Sequence, residues 1–119
     1  MNLKRVKGDI GESYTAKWLR RHRYKVTDTN YSCRFGEVDI IATKGDFICF
    51  IEVKTRSSDA IDRPASAVGI AKQRRLITTA QHYLASYPCE LQPRFDVAEV
   101  IADGDKIKDF NYIENAFGE

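Results

Sequence analysis

Residues Gly36 to Arg56 read GEVDIIATKGDFICFIEVKTR. Two runs rich in Val, Ile and Phe flank a Lys-Gly-Asp turn, which predicts a β-hairpin. With Gly45-Asp46 as a two-residue loop, glycine supplies the positive φ that the first loop position of a type II′ turn needs, and Lys44 faces Phe47. Counting back along both strands then sets Asp39 opposite Glu52. Directly opposed residues share a face with Cβ atoms about 4.5 to 5.5 Å apart, where like charges repel. A positive group is therefore expected between them. Lys54, two residues past Glu52, points to the same face.

The remaining hairpin positions are apolar on both faces. In the first strand Val38, Ile40 and Ala42 lie on one side and Ile41 with Asp39 on the other; in the second, Phe47, Cys49, Ile51 and Val53 alternate with Ile48 and Phe50. Strands of this kind are central strands covered by other layers. The expected class is α/β or α+β, and 119 residues suit a single domain, 1–119.

Outward from the hairpin, residues 9–23 read as a helix on which Glu12, Thr15, Ala16 and Leu19 share one stripe, with Ile10, Tyr14 and Trp18 in a second apolar row. Glu12 reads either as a first-turn acid suited to the helix dipole or as a carboxylate at the wall of a site. Tyr24 to Asn30 reads as a strand, and Tyr31 to Phe35 as a polar connection into the hairpin. Beyond it, residues 57–64 carry turn chemistry, and a helix runs from Ala65 or Ile70 to Ala85, with Lys72, Arg74 and Arg75 near its start. The macrodipole disfavours cations there, so an adjacent anion is one explanation and a solvated basic face the other. Arg94 to Ile101 reads as a strand; Asp96 on it is expected to pair with Arg94 or a backbone amide. Asp103-Gly104 turns into an edge strand, Lys106 to Ile113.

Charge is unevenly placed. Residues 1–25 carry eight Lys or Arg against two acids, whereas residues 89–119 carry three against eight. Such polarity is compatible with a polyanion partner. No apolar run approaches the roughly 20 residues of a membrane helix, and the basic N-terminus has no apolar stretch after it, so a cytoplasmic protein without a membrane partner is expected. Three dispersed cysteines argue for reduced thiols, with Cys49 a core residue.

Two histidines, both on predicted helices, give zinc little support. No nucleophile elbow or phosphate-binding glycine loop is present. Paired carboxylates remain, and their hard oxygens suit Mg²⁺ or Mn²⁺. A glycosidase acid pair has a similar separation, about 5 to 9.5 Å, but the lysine beside Glu52 and the lack of a sugar-stacking aromatic cluster disfavour it. A structural ion pair of Asp39 or Glu52 with Lys54 or Arg56 is the other alternative.

The order Glu12, Asp39 within Gly36-Glu37-Val38-Asp39, then Glu52-Val53-Lys54 resembles the PD-(D/E)xK pattern of the restriction-endonuclease-like nucleases. Gly8 to Glu12, Gly36 to Ala42, Phe50 to Arg56, Lys72 to Leu76 and Arg94 to Val97 more closely resemble the bacterial YraN-like family. The resemblance implies a restriction-endonuclease-like fold, with a central mixed sheet of about four to five strands flanked by helices. It implies metal ligands at Asp39, Glu52 and the Val53 carbonyl, with Lys54 activating water and Glu12 completing the acidic wall. Archaeal Holliday-junction resolvases have a similar layout and prompt branched or junction DNA as substrate. By position and charge, Arg56, Lys72 and Arg75 are expected to anchor phosphates. A metal-dependent nuclease acting on DNA is the leading expectation; the alternative is a non-catalytic nucleic-acid-binding module that retains the fold. A homodimer would suit cleavage of two strands, though no stretch marks an interface.

Overall fold

The computed structural model describes residues 3–60 and 68–118, with the side chains of residues 3–9 and Ala60 outside the described set. The elements are α1 (Leu3–Arg21), β1 (Lys25–Cys33), β2 (Gly36–Lys44), β3 (Phe47–Arg56), a short 3₁₀ turn (Ser58–Ala60), α2 (Ile70–Ser86), β4 (Gln92–Asp103) and β5 (Lys106–Phe117). The rest of the expected 57–64 loop, and the alternative helix start at Ala65, lie outside the described residues.

The hairpin forms in the expected register. β2 pairs antiparallel with β3 from Lys44↔Phe47 to Ile40↔Ile51, and Gly45 takes φ 56°. A second Gly-Asp loop repeats the device between β4 and β5, where Asp103 pairs with Lys106 and Gly104 has φ 62°. The five strands stand in chain order, β1-β2-β3-β4-β5. Only β3 and β4 run parallel, because α2 intervenes and carries the chain back to the starting end of the sheet.

Each helix covers one face. Ala16 and Leu19 of α1 pack with Ile40, Ala42, Cys49, Ile51 and Ala98, while Leu76, Ala80 and Tyr83 of α2 pack with Ile41, Ile48, Phe50 and Val97. This two-sided burial explains why β2 and β3 are apolar at successive positions. The result is a mixed α/β fold consistent with the restriction-endonuclease-like class. No described helix is long and apolar enough to cross a membrane.

Three local expectations need correction. β1 continues to Cys33 instead of stopping at Asn30: Asn30 takes φ 54°, and the chain re-enters the ladder at Tyr31↔Val38. Across from it, Val38 joins the α2-side core with Ile41, not the α1-side core with Ile40 and Ala42. Strict alternation therefore breaks between Val38 and Ile40, at Asp39. The other edge strand, β5, extends to Phe117 because the Asn115 amide is tied to Asp96.

Candidate functional site

Two features of the backbone bring α1, β2, β3 and α2 together at one end of the sheet. Gly36 has φ 149°, and a Cβ there would lie 3.1 Å from Thr79 Oγ1 of α2. On the opposite face, a Cβ at Gly11 of α1 would collide with Thr55 Oγ1 on β3. Glycine is thus used where each helix touches the sheet closely.

The β2–β3 ladder is paired as far as Ile40↔Ile51, one step short of the two acids. Beyond that point Asp39 bonds through its side chain: Oδ2 accepts the Val53 N–H at 2.8 Å. Glu52 is buried, 7% exposed. Both acids line an open cavity of about 340 Å³ with Gly36, Glu37, Lys72, Arg75 and Leu76. Burial, and then the charge of Glu52, push the Asp39 carboxyl up to about 7; the Val53 amide and Lys72 oppose the rise. The two carboxylates are thus brought together, as the hairpin register led one to expect.

A cation from α2 also reaches the pair. Lys72 Nζ on α2 lies 3.0 Å from Glu52 Oε1. Lys54 shares the Glu52 face of β3, whose register with β4 is regular, but is not part of the cavity lining. It is half-buried; burial followed by the charge of Arg56 lowers its pKa, and the charge of Glu52 opposes the fall.

Arg56 is committed elsewhere, to Glu99 Oε2 at 2.5 Å. Lys72 and Arg75, the other two expected phosphate anchors, both line the cavity. Glu12 follows Gly11 on α1, whose backbone there meets Val53 and Thr55 of β3; it is not among the cavity residues. Among the described residues no three His, Cys, Asp or Glu side chains form a metal-holding group, so the acids of the cavity wall that converge are a pair. Two carboxylate groups are nonetheless a donor set that fits Mg²⁺ or Mn²⁺, which bind through one or two carboxylates and otherwise keep water.

Sequence reasoning did not assign a role to Glu37, although it stands beside Asp39 in the same motif. It also did not pair Lys72 with Glu52. Asp96 proves structural, as expected: it is fully buried, accepts from Arg94 Nε at 2.9 Å and from the Asn115 amide at 2.9 Å, and also takes the Tyr112 hydroxyl at 2.5 Å.

A mixed sheet covered by a helix on each face, with an acid pair at the point where two central strands part, defines an α/β protein of restriction-endonuclease-like architecture. A family profile described as "Uncharacterised protein family UPF0102" matches residues 11–100. A UPF0102 protein of Nitrosomonas europaea is 40% identical over 113 residues, 95% of this chain and 94% of the relative. One from Alkaliphilus metalliredigens is 45% identical over 111 residues, covering 92% and 96%, and one from Acetivibrio thermocellus 42% over 122, covering 98% and 94%. The chain belongs to the UPF0102, or YraN-like, family.

Proposed function

We propose that this protein is a metal-dependent nuclease that hydrolyses DNA phosphodiester bonds, with branched or junction DNA a candidate substrate. The observation that carries this reading is the Asp39–Glu52 pair, two poorly solvated carboxylates beside an open cavity whose rim also carries Lys72 and Arg75. Such a pair costs stability unless a cation uses it, and strongly perturbed carboxyls in clefts are functional-site candidates.

Asp39 and Glu52, with the Val53 carbonyl, would hold Mg²⁺ or Mn²⁺, which when bound supplies Lewis acidity to a phosphoryl oxygen and an attacking water. The side chains of the protein do the rest. The Val53 amide fixes the Asp39 carboxylate. Lys54, with its pKa lowered by burial, exchanges a proton with water at the edge of the strand and balances charge on the phosphate. Lys72 and Arg75 draw the phosphate into the cavity. Arg56 contributes only by leaving Glu99, and Glu12 acts from the α1 side through water.

Purified protein incubated with plasmid, single-stranded and four-way-junction DNA, and with RNA, in Mg²⁺ or Mn²⁺ tests the proposal. Cleavage of at least one DNA substrate is expected, and its loss in Glu52→Ala and Lys54→Ala. No cleavage, or cleavage that survives both substitutions, overturns it. The second reading, a non-catalytic nucleic-acid-binding module, is favoured by the Lys72–Glu52 ion pair, which already neutralises one acid. It calls for metal-independent binding that weakens steeply with salt.

A further inference from the structure

Lys72 occupies an awkward place for a lysine. It is the third residue of α2, whose first turn holds no acid and whose N-cap Gly69 makes no side-chain cap, so the positive end of the helix repels it. Its ammonium nevertheless turns to Glu52 Oε1, at 3.0 Å. Glu52 is the carboxylate next to Asp39 in the cavity, and the charge of Lys72 reaches Asp39 as well. The two ends of the ion pair differ in solvation: the Lys72 side chain is 48% exposed and that of Glu52 9%. The Arg94–Asp96 pair, with side chains 12% and 0% exposed, is by contrast closed in on both sides. A lysine on a flexible stem with water on one side can leave its partner without disturbing the core.

We propose that Lys72 is the resident counter-ion of the carboxylate pair, holding Glu52 in the free protein and competing with a divalent cation for it. This inference rests on the metal-dependent reading above. Lys72 is then a positioning residue that sets the affinity of the site for the cation: Glu52 is released only when the ion displaces the ammonium, which swings toward the open side of the cavity beside Arg75. No described ion pair joins Arg75 to either acid, so Arg75 lines the cavity without this role.

Calorimetric titration of the intact chain with MnCl₂ decides the matter without any substrate. A pair with one partner half in water is worth little, so Lys72→Met and Lys72→Gln are expected to tighten Mn²⁺ binding by about three- to fivefold. Lys72→Arg keeps the competing charge and is expected to leave the affinity within about twofold of the parent. Arg75→Gln, which removes a charge from the same cavity but not from Glu52, is expected to change it less than Lys72→Met. Unchanged or weaker binding in Lys72→Met and Lys72→Gln overturns the inference alone, as does equal tightening by Arg75→Gln. If neither the parent nor any variant takes up Mn²⁺, the metal-dependent reading fails as well. Lys72 is half-exposed, so the variants are expected to fold, and circular dichroism of each verifies it.

Discussion

Asp39 Oδ2 accepts the backbone N–H of Val53 at 2.8 Å, so a side chain takes over cross-strand bonding one step beyond the last paired residues, Ile40 and Ile51. The bond holds the Asp39 carboxylate on the side of Glu52, and burial with that neighbour raises its pKa from 3.8 to about 7. A carboxyl whose folded pKa is raised favours the folded state while it is protonated. That contribution is present at low pH and is lost as pH rises from about 4 through about 7.

Asp39→Asn removes this titration and can still accept from Val53. In metal-free buffer it is expected to raise stability at pH 8 by on the order of 2 kcal/mol and to flatten the pH dependence between pH 5 and 8. Urea unfolding at several pH values measures both. A variant less stable than the parent at pH 8 contradicts the assigned cause.

A divalent cation should relieve the same repulsion. Under the proposed function, 5 mM MgCl₂ or MnCl₂ raises the unfolding temperature of the parent and not that of Glu52→Gln, since binding to the folded state alone stabilises it by mass action. Equal shifts in both proteins would point to a cation bound elsewhere.

On the α1 side of the sheet, opposite Ile51 in the β3–β4 ladder, Asp96 pins β5. With no exposure of its own, it receives Arg94, Tyr112 and the Asn115 amide. Asp96→Ala leaves the Arg94 guanidinium without its main partner and is expected to cost about 3 to 5 kcal/mol. Tyr112→Phe removes one hydrogen bond from the same carboxylate and is expected to cost about 1 to 2 kcal/mol. Chemical denaturation reads both, and folded Tyr112→Phe should keep the Mn²⁺ affinity of the parent.

The hairpin was legible because Gly45 supplies the positive φ its loop needs and because both strands are apolar on two faces. The same alternation misplaced Val38: the strand turns there across from Asn30 of β1, which takes φ 54°, and asparagine does not demand that conformation. The acid pair followed from local register. The cations did not, because the partner of Glu52 arrives from α2 and the partner of Arg56 from β4 through the parallel register that sets Lys54 beside Glu99. Neither contact leaves a periodic trace along the chain. A local count along β3 therefore reaches Lys54, on which the charge of Glu52 acts, but not Lys72. Asp96 was easier, since an acid at a strand start two residues from an arginine has an obvious partner.

Gly11 and Thr55 make the contact that seats α1 on β3, and they allow a test by paired substitution. In isolation, glycine to alanine within a helix is favourable by about 1 kcal/mol. Here the added Cβ would strike Thr55 Oγ1, a buried hydroxyl with no hydrogen-bond partner among the described residues. Gly11→Ala is therefore expected to destabilise by about 1 to 2 kcal/mol, the usual size of overpacking. Thr55→Ala removes the obstructing atom, and losing an unpaired buried hydroxyl costs little. In the Thr55→Ala background Gly11→Ala should become neutral or stabilising, giving a coupling of about 1 to 3 kcal/mol in a double-mutant cycle. Additive effects would mean that α1 is seated by Ala16 and Leu19 alone and that the glycine is free to change.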